Sequence, residues 1–290
     1  MDSAAEIKAK IDELLSDIQQ LPALPSIANR VLSLAANPDV DIRALAEEIS
    51  RDSSITASLI RLSNSAYFHP SGKIRSVHEA IMTLGLNTVK DILLIIASKG
   101  ILKADLEAYK ISGLELWDHS LLTAEMAARI AKLKKTRSSA DLCFTAGLLH
   151  DTGKVVLVHF FKKAHRQISQ DLENNPELRF SDLEKKYLGY SSAEIGGRLL
   201  QIWNFPDELS QAVLFREKPE NAKINPELCC IVHTANAIVM SAGVGMDAGG
   251  LQEDLSSFAL EKLKLSDDDL RGLMLALPDI MHELDELRAI

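Results

Sequence analysis

Aromatic residues are scarce in this chain, making up 5% of its 290 positions. Sheet-rich domains draw on aromatic and β-branched side chains, so that scarcity, beside plentiful Leu, Ala and Ile, points to helix. Cysteine is scarcer still. Cys143, Cys229 and Cys230 have no metal-ligand spacing and two of them adjoin, which argues for a reducing compartment. No apolar run reaches the about 18 residues that a membrane helix needs. The densest, Ile92 to Ala97, is bracketed by Asp91 and by Ser98 and Lys99, and reads as a buried element. Met1 to Ile11 alternates charged and small residues without a secretory apolar core, so a cytoplasmic protein is expected. A basic stripe is also missing. The formal charge is −9 and the pI near 5.4, which argues against nonspecific binding to nucleic acid or anionic membrane. The best basic cluster, Lys132 to Arg137, fits a helix C-terminus followed by a turn.

What is present is globular: 47% hydrophobic and 25% charged residues, in a chain long enough for one large domain or two modest ones. Helical periodicity runs the length of it. Ile7, Ile11, Leu14 and Ile18 form the apolar stripe of a first amphipathic helix, which must dock on this chain, on a sister subunit or on a partner, since alone it is marginal. Pro22 and Pro25 end it, and a second helix runs to near Asn37 and Pro38. Asp41 caps a helix with the stripe Ile42, Leu45, Ala46 and Ile49; Ser53 or Ser54 caps the next. A loop from His69 to Arg75 precedes a helix over Ser76 to Leu84, and Asn87 to about Leu102 is apolar nearly all round. Further helices are expected over Leu114 to Lys134, Ala140 to His150, Thr152 to His165, Glu194 to Trp203, Asp207 to Phe215 and Pro226 to Met240. Ser241 to Gly250, with four glycines, reads as a flexible loop, and a last helix starts at Ser266 and is divided at Pro278. The fold class is all-α. Residues 1–103 are expected as an N-terminal helical layer, 104–245 as a helical core, and 246–290 as helices closing it.

Two ordered sets of residues carry a family resemblance. The first is Leu21-Pro22-Ala23-Leu24-Pro25, then Asn37-Pro38-Asp39, Asp52, Asn64-Ser65-Ala66-Tyr67-Phe68, and Ala80-Ile81-Met82-Thr83-Leu84-Gly85. Taken singly these are helix punctuation and core packing. The second is His119 on one helix and Gly147-Leu148-Leu149-His150-Asp151-Thr152-Gly153-Lys154 at the end of the next. Together they resemble the HDOD (HD-related output domain) family of bacterial signalling proteins, here in a stand-alone version. The resemblance implies an HD-like helical bundle in which His119, His150 and Asp151 are candidate metal ligands. Two imidazoles and a carboxylate can hold a divalent ion and acidify a bound water, and Lys154 can offset phosphate charge.

The same resemblance marks what has been lost. Asn236, in His233-Thr234-Ala235-Asn236, stands where active HD enzymes carry a further Asp. A binuclear HD-GYP site needs a His near Gly189 and a later His-His pair; Ser192 and Phe215-Arg216 stand there, and Glu217-Lys218-Pro219-Glu220 replaces the GYP loop. What is left is either a weak mononuclear site filled out by water or a remnant whose contacts stabilise the fold. The expected function is therefore a noncatalytic regulatory module that binds a signalling partner or a small ligand, as a monomer or homo-oligomer. No cofactor is expected with certainty; at most a divalent metal is weakly bound. The alternatives are a metal-dependent phosphohydrolase and a nucleotide sensor that uses the old pocket without turnover.

Overall fold

The computed structural model describes residues 4–16, 41–68, 72–102, 109, 111–175, 178–245 and 255–285. The fold is all-α, with no strand among the described residues. Two compact units emerge, and neither is contiguous in sequence. One comprises Met1–Pro22 and Ile101–Leu277, the other Ala23–Gly100 and Pro278–Ile290. The first helix groups with the larger unit, and residues from Pro278 onward group with the smaller one.

In the smaller unit, helices α2 (Ile42–Ser50), α3 (Ser53–Ser63) and α4 (Val77–Leu84) pack on one another. Asp41 caps α2 as expected, accepting from the Arg43 N–H. Helix α3 is capped by Asp52, whose carboxylate accepts from the Ser54 and Ile55 amides, instead of by either serine. A carboxylate at that position satisfies two orphan donors where a hydroxyl reaches one. Tyr67 and Phe68 are half-buried and meet edge to face at 4.8 Å, so the core does not rest on them. The working residue of that segment is Asn64. Its side-chain amide clasps Ile74, donating to the carbonyl at 2.8 Å and accepting from the amide at 2.8 Å, and so closes the intervening loop. Leu86–Leu102 (α5) buries Val89 and Ile92 to Ile95, in keeping with its unbroken apolar run. The helix expected between Pro25 and Asn37, with both prolyl motifs, lies outside the described residues.

The larger unit holds the remaining residues of interest. Helix α1 (Ala4–Ser16) lies on α9 (Phe180–Leu188) and α10 (Ser192–Ile202), burying Ile11 and Leu15. Asp12 accepts from Tyr190 Oη at 2.7 Å and from Arg198 at 2.8 Å. The first helix therefore docks on its own chain. Helix α6 (Gly113–Lys134) begins with a Ser112–Glu115 capping box and ends where Lys135 turns left-handed, at φ 48°. It packs against α7 (Ala140–Leu149) and α12 (Pro226–Ser241). Helix α8 (Thr152–Asn174) is longer than expected and carries a break at Phe161, where φ is −128°. It packs on α9 and α10, and α11 (Asp207–Leu214) packs on α10 and α12. Two short helices were not anticipated, α9 and α13 (Ser257–Leu263); nine and seven residues give periodicity little to work on. Ser266 caps α14 (Asp267–Leu275) through a box with Asp269; α15 (Leu277–Glu283), after the break that Pro278 implied, belongs from Pro278 onward to the smaller unit.

Candidate metal centre and its buried charges

Two close helix crossings assemble the site. A Cβ on Gly147 would sit 2.7 Å from the Ala124 Cα, so its absence lets α7 lie directly on α6. That crossing brings His150, at the C-cap of α7, to His119 in the second turn of α6. A Cβ on Gly153 would stand 1.9 Å from the Ser192 carbonyl oxygen. Only glycine permits this approach of the α8 and α10 N-termini, and Arg216 bridges Asp151 to Ser192 there. Asp151 holds the N-cap position of α8, yet its carboxylate makes no capping bond and turns into the cluster.

His119, His150 and Asp151 are buried, and their donor atoms lie within 4.8 Å of one another. The hydrogen bonds assign the tautomers. His119 Nδ1 is 3.0 Å from the Val244 carbonyl and His150 Nδ1 is 2.7 Å from the Gly147 carbonyl. A carbonyl only accepts, so each Nδ1 carries a proton, and in a neutral ring the Nε2 then presents its lone pair. Those Nε2 atoms face each other at 3.2 Å. Asp151 Oδ2 is 3.3 Å from His150 Nε2 and 3.7 Å from His119 Nε2. Lys154 donates to Oδ2, but two imidazole Nε2 atoms and a carboxylate oxygen still converge, and a cation must join them, either a proton on one Nε2 or a metal ion. Tetrahedral coordination with bonds of about 2.1 Å separates neighbouring ligand atoms by about 3.4 Å, so the donor set fits a divalent ion.

The surroundings are unusually cationic. Lys154 Nζ donates to Asp151 Oδ2 at 2.9 Å, and Arg216 Nη2 lies 3.1 Å from Asp151 Oδ1. Arg216 is itself anchored on Ser192 Oγ at 3.2 Å. Burial alone would raise the Asp151 pKa; the electrostatic pull of His150, Lys154 and Arg216 overcomes it and holds the carboxyl well below its ordinary range. Burial, reinforced by the neighbouring His150, pushes His119 down to about 3. His119 is thus neutral, as a metal ligand must be. The fourth expected position offers no charge: Asn236 is buried on α12, one turn beyond His233. His233 serves as a bolt, its Nδ1–H donating to the Arg216 carbonyl at 2.8 Å and its Nε2 accepting from the Ser256 amide at 3.0 Å.

Sequence reasoning missed four contributors. Val244 orients His119, and Gly245 makes room for it, since a Cβ there would lie 2.4 Å from His119 Cβ and its φ is +68°. The glycine-rich stretch was the signal, although it read only as flexibility. The other two are Glu184 and Tyr109. Glu184 is fully buried on α9 and accepts from Tyr109 Oη and, at 2.7 Å, from the Ser192 amide. Burial pushes its pKa up to about 7 against the lowering effect of those two bonds. No local pattern links residues so far apart. The three cysteines are buried core thiols, pushed up to about 12 by burial.

Stacked α-helices with a His/His-Asp cluster at their crossing define an HD-like helical protein. The chain belongs to the HDOD domain family, whose model matches residues 21–219. An uncharacterized protein of Treponema pallidum (strain Nichols) is 26% identical over 218 residues, 75% of this chain. The chain spans 41% of that relative's length. An HDOD domain protein of unknown function from Geobacter sulfurreducens superposes with a TM-score of 0.72 at 24% identity, over 98% of this chain and 97% of that one. A protein from Marinobacter aquaeolei VT8, named as a proposed signal transduction protein, superposes with a TM-score of 0.76 at 22% identity, over 100% and 67%. One from Shewanella amazonensis SB2B, named as a proposed phosphohydrolase, gives 0.70 at 22%, over 97% and 96%. These likenesses establish the fold. Among the described residues no helix is long and apolar enough to cross a membrane.

Proposed function

We propose that the protein is a noncatalytic module of bacterial signal transduction, cytoplasmic, acting by binding a partner protein or a small ligand. One observation carries the reading. Both oxygens of Asp151, the sole carboxylate of the donor set, are engaged by the side-chain cations of Lys154 and Arg216. A catalytic metal needs that negative charge and an open coordination position, and Asn236 supplies no replacement for it. The output named for one structural relative, signal transduction, agrees with this reading. The test is turnover of phosphodiesters and nucleotides with manganese, iron or nickel. The protein is expected to show no activity above a His150→Ala control; robust turnover abolished by that substitution would overturn the proposal.

The convergence of three lone pairs favours a second reading, in which a weakly held divalent ion is bound. His119, His150 and Asp151 would be its ligands, and Lys154 would face a phosphate group. When bound, the ion would supply Lewis acidity and an acidified water. Metal analysis of protein purified without chelator separates the two readings: stoichiometric metal lost in His119→Ala supports the second.

A further inference from the structure

The two oxygens of Asp151 look in different directions. Oδ2 faces the two imidazole Nε2 atoms and takes Lys154, which sits one turn along the same helix. Oδ1 takes Arg216, which arrives from the connection between α11 and α12 and is held in place by Ser192. Arg216 is buried, and a guanidinium does not give up its proton, so the charge it places beside Asp151 is permanent. A divalent ion at the point where the three donors converge would share a carboxylate with that fixed cation, and the two repel strongly where water is excluded. We propose that Arg216 is a built-in cation that competes with a divalent metal for Asp151 and sets the affinity of the three-donor site. The proposal rests on reading His119, His150 and Asp151 as a ligand set. Lys154 is part of the same helical turn as Asp151, whereas Arg216 is a separate element that one substitution removes without touching α8.

The experiment is titration of the full chain with cobalt(II), followed by calorimetry and by the ligand-field absorption that reports the ion's coordination number. Arg216→Met removes the charge and keeps the length. It is expected to bind cobalt(II) at least about tenfold more tightly than the native chain, the electrostatic effect of losing a nearby buried charge. His150→Ala in the same background should abolish the gain, and Arg216→Lys, which keeps the charge, should stay within about threefold of native. Unchanged or weaker binding by Arg216→Met, or a gain that survives His150→Ala, overturns the proposal. Should Arg216→Met fail to fold, Ser192→Ala takes its place. It removes the anchor of Nη2 and should raise affinity by about threefold, roughly one neutral hydrogen bond's effect; no rise overturns the proposal. The two readings fail differently. If only the variant binds cobalt(II), the native protein is not a metal protein and the role of Arg216 stands. If native and variant bind equally, the metal reading stands and Arg216 is not the determinant. If neither binds, both fall.

Discussion

Asp151 and Glu184 are buried carboxylates of the same unit, and Ser192 stands between them, its hydroxyl accepting from the Arg216 that pairs with Asp151 and its amide donating to Glu184. Burial works on both in the same direction, yet Asp151 is held far below its ordinary pKa and Glu184 is pushed up to about 7. The difference lies in their company. Asp151 faces Lys154, Arg216 and an imidazole at close range; Glu184 bonds to the neutral donors Tyr109 Oη and the Ser192 N–H, with Glu217 working against its ionisation and a weaker pull from Arg216 favouring it. A buried acid is charged where fixed cations touch it and holds its proton longer where its direct partners are neutral dipoles. The first arrangement makes a rigid ionic hub, the second a group that titrates near neutrality.

The largest expected effect comes from removing the charge that organises the hub. Asp151→Asn removes the buried carboxylate that Lys154 and Arg216 share and is expected to cost about 3–5 kcal/mol in urea denaturation. Glu184→Gln, measured at pH 5, should cost about 1 kcal/mol or less, because it imitates the protonated acid already present. Equal losses would erase the distinction between the two groups.

The pH dependence sharpens it. In the folded protein Glu184 keeps its proton up to about pH 7, while in the unfolded chain it loses it near the ordinary 4.5. Between those values the folded state binds the extra proton, so stability falls as pH rises across the window, by on the order of 3 kcal/mol in total. Glu184→Gln should remove that decline from denaturation curves recorded at pH 4.5 to 7.5. A native profile that is flat or rising through this window, with no difference in the variant, would refute the assignment.

Gly245→Ala strikes one node and spares the other. The added methyl would collide with His119 and strain a left-handed residue, for a loss of about 2 kcal/mol in thermal melting. The Glu184-dependent pH slope should persist in this variant. The smallest effect is that of Tyr109→Phe, which deletes one hydrogen bond to Glu184 for about 1 kcal/mol and extends the pH window upward, since the ionised acid loses a donor. A downward shift would mean that Tyr109 does not serve the carboxylate.

Much of the site was legible because its residues are bound to local signals. His150, Asp151 and Lys154 fall at a helix end within five residues, and His119 precedes them on the helix before. Ser192 and Arg216 were legible as departures from a ligand pattern, and the structure puts both at Asp151. Glu184 was not, because its helix is nine residues long and its partners Tyr109 and Ser192 come from other elements. Val244 and Gly245 were hidden for another reason: loop composition says that the backbone can turn, and says nothing of which side chain it will turn against. Asn64 was read as part of a family segment, while its clasp on Ile74 needed coordinates.

By itself the sequence determined the helical class, since stripes at 3.6-residue spacing and capping residues such as Asp41 and Ser266 act within one or two turns of their own position. It also determined which donor types are on offer and that Asn236 brings no charge. Tertiary structure alone decided that the first helix completes the larger unit, that Arg216 meets Asp151, and that two equally buried acids differ in charge. Those outcomes depend on distances between residues far apart in the chain and on the exclusion of water around them. Electrostatic energy in a buried site varies steeply with both, and neither is encoded in local periodicity.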